Sequence, residues 1–171
     1  MEWLSRFWNQ PNKAYRNAFI AFFLLGVHFV YPSLLYAFAP EKPLAQLFWA
    51  GRTFFHQEYP LSEQSVIWRV LGAGNVFTLG LMCFMLAVNP KRFYPLMIPL
   101  CVMKAFASIG FLISFLTGAA GGIHYGMFFG VFLWDGTNVL MFLYFGSRSR
   151  RSLLVPNAPR PLPYWFAEEH A

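Results

Sequence analysis

Three ionisable side chains stand deep inside long apolar runs of this chain: His28, Lys104 and Asp135. Such groups are costly in hydrocarbon, so they face a bundle interior and take partners there. A lysine and an aspartate at one depth can form an ion pair, hydrogen-bond a polar headgroup or pass a proton. An imidazole can do the last two. In a hydrocarbon core about 30 Å thick, His28 stands about 15 Å and Lys104 about 16 Å from one surface, at ~1.5 Å per residue. Asp135 lies about 20 Å from the opposite surface by the same rise, within roughly a turn of that level. Asn75 and Asn138 fall close to it. Three readings are open. Lys104 and Asp135 could pin helix register, with His28 a satisfied core imidazole. The five residues could instead line a polar pocket that holds a lipid-like or quinone-like headgroup or relays protons. Lastly, one or more of them could face a partner subunit.

The elements that must position these residues are written in the composition. Of 171 residues, 57% are hydrophobic and 12% charged, against ~25% charged in a soluble domain. The apolar runs are continuous rather than alternating, which favours helices over a β-barrel. Aromatic residues make up 20% of the chain, 21 of them Phe, which suits a lipid-facing surface with Trp and Tyr at its edges. The net charge of +6 is scattered over loops and tails. Anionic headgroups account for it, and no nucleic-acid partner is expected. Cys83 and Cys101 lie inside apolar runs without metal or CxxC spacing and read as core hydrophobes.

Residues 1–17 read as a cytoplasmic interfacial segment, with Trp3, Leu4, Phe7 and Trp8 at helical spacing. No small-residue cleavage site follows, and the next apolar run is too long for a signal-peptide core, so the first span reads as uncleaved. Spans are expected at about 18–38, 66–88, 93–116 and 122–145, making 18–145 the transmembrane domain. Pro32 is expected to kink the first. Over 44–57 apolar residues recur at i, i+3, i+4, an amphipathic helix too short to cross and expected to lie at the interface over the bundle. The short turn 89–92 makes spans two and three antiparallel neighbours, and the loop 117–121 does the same for three and four.

Glycines supply the packing signals. Gly72, Gly74 and Gly80 lighten span two, and Gly118, Gly122, Gly126 and Gly130 form a four-residue ladder for a helix of this chain or of a partner. Gly146 reads as a helix stop, and 146–171 as a cytoplasmic proline-rich tail.

Nine Lys and Arg residues lie in the N-terminal segment, the turn between spans two and three, and the tail, against three on the other side. That asymmetry puts both termini in the cytoplasm. The expected location is the bacterial cytoplasmic (inner) membrane, as a multi-pass protein. No nucleophile motif, phosphate loop or dinucleotide fingerprint is present, so the reading leans away from an enzyme. His28, His56 and His124 lack the close pairing of a metal or haem site. No cofactor is evident beyond a bound lipid or quinone. Trp134, beside Asp135, is placed to pack over the pocket.

The stretch Trp68-Arg-Val-Leu-Gly-Ala-Gly-Asn75, the proline-containing turn after span two and Trp134-Asp-Gly136 carry a resemblance. Over residues 66–145 the chain resembles the DoxX-like group of small four-helix bacterial membrane proteins. The amphipathic insert at 44–57 and Lys104 in mid-span depart from that pattern. The resemblance implies a four-helix fold and, faintly, quinone-linked membrane redox work. The expected fold is thus all-α, an integral membrane four-helix bundle with an interfacial helix between spans one and two. The expected function is an accessory or structural subunit of a larger inner-membrane complex, in redox or electron transfer. Its partners would be membrane lipids and other membrane subunits or further copies of itself. The alternative is a small membrane enzyme or binding protein for a lipid- or quinone-like ligand. A transporter fits least, because the chain has no internal repeat.

Overall fold

A backbone inside lipid must satisfy its own hydrogen bonds, so long apolar runs are forced into helices. The computed structural model describes residues 2–39, 49–56, 66–118, 124–155 and 161. Its helices are α1 (Glu2–Asn9), α2 (Lys13–Phe38), α3 (residues 49–55), α4 (Val66–Val88), α5 (Met97–Thr117) and α6 (Gly126–Leu153), with a 3₁₀ turn at Tyr94–Leu96 before α5. Four segments are long and apolar enough to cross a membrane: Lys13–Phe38, Val70–Val88, Tyr94–Thr117 and Gly126–Leu153.

Helix boundaries follow local chemistry. α2 starts at Lys13 rather than 18, because the Asn12 side chain accepts a hydrogen bond from Tyr15 N at 2.9 Å and caps the first turn. It continues through Pro32 to Phe38. α5 ends at Thr117, where Gly118 takes φ 76°, a conformation that suits glycine. Gly146 does not stop α6, which runs on to Leu153. Gly146 serves packing instead: the Met97 thioether lies over it, and a Cβ there would sit 2.7 Å from Met97 Cε. The first part of the expected tail is therefore helical. The remainder of that tail apart from residues 154, 155 and 161, residues 44–48 and 57 of the expected interfacial helix, and Gly122 lie outside the described residues.

α2 and α4 run antiparallel and close. Tyr15 OH donates to Val88 O at 2.8 Å near one end. Farther along, Gly26 and Gly80 let the backbones approach: a Cβ on Gly80 would lie 2.5 Å from Val30 Cγ2 and 3.0 Å from the Gly26 carbonyl oxygen. α5 and α6 form a second antiparallel pair, as the loop between them foretold. Its rungs are Met97 with Gly146, Lys104 with Asp135, Ser108 with Phe132, and Phe111 with Phe128. α2 joins the two pairs by laying Phe22 and Phe29 against Phe142 of α6.

The expected packing of α4 on α5 is corrected. The close approaches run α4 to α2, α2 to α6 and α6 to α5, and α4 and α5 do not pack along their lengths. A short connection fixes where two helices meet at one end and leaves their faces free. Here the apolar face of α2, with Ala18, Phe22, Leu25 and Phe29 buried, takes the central place. The core nevertheless draws on all four helices, with Leu79, Cys83 and Leu86 from α4, Leu100 from α5 and Phe142 from α6.

One end of the molecule gathers the start of α2, the α4–α5 turn and the end of α6. Arg150 lies 4.3 Å over the Tyr94 ring there, and Arg16 lies 5.3 Å over Trp8. Lys13, Lys91, Arg92, Arg148 and Arg151 belong to the same segments. α1 packs against α2 through Phe7, whose ring meets Phe19 at 5.5 Å, while Trp3, Leu4 and Trp8 stay exposed.

Candidate functional site

The α5–α6 rungs bring the two buried charges together. Lys104 Nζ donates to Asp135 Oδ1 at 2.7 Å, with both side chains nearly buried. The ammonium also sits 4.7 Å from the Phe29 ring centroid, so α2 closes the third side. One turn along α5, Ser108 Oγ donates to Phe132 O at 2.9 Å and faces Gly136, where a Cβ would meet the hydroxyl at 3.4 Å, an ordinary contact. Coulomb attraction in a low-dielectric interior makes this pair a strong geometric constraint, although desolvation cancels much of its net stabilisation. The expected coincidence of Lys104 and Asp135 at one depth is seen directly.

Asp135 opens a buried stripe on α6 that continues through Asn138, Phe142, Gly146 and Ser149, at spacings of three and four residues. Asn138 is 1% exposed, and its Nδ2 finds no hydrogen-bond partner among the described residues. Ser149 Oγ is in the same condition near the end of the helix. Helical side chains lean toward the N-terminus, so the Asn138 amide leans over the turn that carries Trp134 and Asp135. A buried N–H left unpaired costs about 1–3 kcal/mol.

His28 joins the group from α2, in a place the sequence did not foretell. Its ring packs on Trp134 at 5.2 Å and on Phe29 at 5.4 Å. Yet it is exposed rather than a satisfied core imidazole, and Trp134 beside it is half exposed. Trp134 therefore packs on His28 at the edge of the polar slab.

Asn75 does not belong to the cluster. It is exposed on α4, and no hydrogen bond ties it to Lys104, Asp135, His28 or Asn138. Ala73, Leu79, Gly80 and Cys83 carry the packed face of α4 instead, and Asn75 falls at its flank.

The glycine ladder is also redistributed. Gly118 ends α5, while Gly126 and Gly130 hold the Phe55 ring of α3 rather than a spanning helix, with Phe55 Cδ1 where a Gly126 Cβ would be. The glycines used for close helix approach are Gly26 and Gly80. Gly80 serves the close packing expected of it, while Gly26 escaped notice because it stands alone on α2, with no four-residue repeat to mark it. Gly72 and Gly74 of α4 and Gly110 of α5 meet nothing within 4 Å. His124 closes the far end of the α5–α6 pair, with its Nδ1 2.6 Å from Phe115 O.

Taken together, α2, α5 and α6 build a neutral ion pair with an unpaired amide donor beneath it and an exposed imidazole and indole at its edge. Such a set can brace helices and can donate hydrogen bonds to a group arriving from lipid. No family model, curated protein or solved structure matches this chain.

Proposed function

We propose that this chain is an accessory, structural subunit of a larger membrane complex. The observation that carries the reading is Asn75, an exposed amide about 14 Å along α4 from Val66 at the helical rise. At that depth lipid tails offer it no hydrogen bond. Gly72, one turn before it on the same side of the helix, has open space over it, and Gly110 on α5 is equally uncovered. Small residues allow a neighbouring helix backbone to come near, and a polar side chain among them can bond across the contact. The interior, by contrast, is braced from within by Lys104 and Asp135, which suits a rigid part of an assembly.

Both termini would lie in the cytoplasm of a bacterial inner membrane, with the cationic end of the bundle against anionic headgroups. α3 would then lie at the outer interface, seated by Phe55. The DoxX-like resemblance of residues 66–145 adds membrane redox work as the setting.

The test is gentle affinity purification of the intact chain from its native membrane, with mass spectrometry of what accompanies it. Stoichiometric membrane subunits, or a second copy of the chain, are expected. A lone monomer would contradict the reading.

A further inference from the structure

A second polar surface lies on the opposite side of α2 from α4, and it has a different character. His28 is exposed near the middle of α2, and among the described residues no hydrogen bond serves its ring nitrogens. Its neighbour Trp134 is also exposed. Asn138 stands one turn beyond Trp134 on the same line of α6, with its Nδ2 buried and unpaired. Two independent polar groups are thus unsatisfied at one place, one facing lipid and one just beneath it.

We infer that His28, Trp134 and Asn138 form a binding site for the carbonyl oxygen of a neutral, lipid-soluble ligand. The chemistry selects that class. Asn138 Nδ2 can only donate, so its missing partner is an acceptor. The adjacent Lys104 and Asp135 cancel each other's charge, so nothing there compensates an anion or a cation entering from hydrocarbon. The Asn138 amide is itself buried, so a ligand entering from lipid parts the exposed His28 and Trp134 rings, which then offer flat apolar walls for a hydrophobic body. A ring carbonyl of a quinone and an ester carbonyl of a diacyl lipid share this chemistry.

The test uses the full chain in nanodiscs with three probes: decyl-benzoquinone, a short-chain diacylglycerol and decylbenzene, which lacks any carbonyl. The readouts are the ligand-dependent rise in Tm and the carbonyl stretching band in difference infrared spectra. A saturable rise with one of the carbonyl probes, absent with decylbenzene and accompanied by a lowered carbonyl frequency, is expected. Which probe succeeds identifies the source of the carbonyl. In Asn138→Leu the affinity should fall about tenfold, the worth of one buried hydrogen bond. The ligand-free variant should be at least as stable as the wild type. No saturable rise with either carbonyl probe, or equal binding by Asn138→Leu, would overturn the site. If Asn138→Leu does not fold, His28→Ala, which removes the wall at the exposed edge, decides: weakened binding supports the site and unchanged binding removes it.

Discussion

Lys104 Nζ and Asp135 Oδ1 meet at 2.7 Å across the α5–α6 seam, beneath the Phe29 ring of α2. Three helices thus converge on one neutral pair. Removing one partner leaves a charge in a place where neither water nor a counter-ion serves it.

The pair should show strong non-additivity. Lys104→Met alone should destabilise the protein by about 3–5 kcal/mol. The double variant Lys104→Met with Asp135→Leu should recover to within about 1 kcal/mol of the wild type. Unfolding in mixed SDS micelles measures both. Additive losses would show that the two residues do not act as a pair.

Glycines should sort into two classes. Gly80→Ala forces its Cβ against Val30 and the Gly26 carbonyl and should cost about 1–3 kcal/mol by overpacking. Gly74→Leu enters open space and should change the stability of the isolated chain by no more than about 0.5 kcal/mol. Thermal unfolding of the purified chain in detergent distinguishes them. Equal losses at both positions would mean that α4 packs on some other face.

Much of the fold was legible because each long apolar run has one solution in lipid. α4 spans Val66–Val88 as expected, and the α5–α6 pair followed from its short loop. What escaped was the order of the helices across the molecule, since that depends on side-chain faces with almost uniform hydrophobicity. α2 is apolar nearly all round, so its sequence cannot tell which side receives α4 and which α6. For the same reason the polar slab was half legible. Depth placed Lys104 and Asp135 together, but depth alone cannot separate Asn75, on the outer flank of α4, from Asn138, buried on α6.

α3 should be released by changes at the seat of Phe55. Phe55 is half-buried against Gly126 and Gly130. Phe55→Ala should free the helix at a cost of about 1 kcal/mol, and Gly126→Val should do so by filling the notch. Hydrogen exchange at residues 49–55 should rise in both variants while α6 stays protected. Unchanged exchange would show that other contacts hold α3.

Asn75 offers the most direct view of the proposed assembly. Native mass spectrometry of complexes released from the protein's own membrane should give a mass above that of the single chain. Asn75→Leu together with Gly72→Leu should reduce it to the monomer without loss of folded protein. A wild-type chain that emerges as a monomer, or an assembly that survives both substitutions intact, would contradict the claim that this face of α4 joins the protein to a partner.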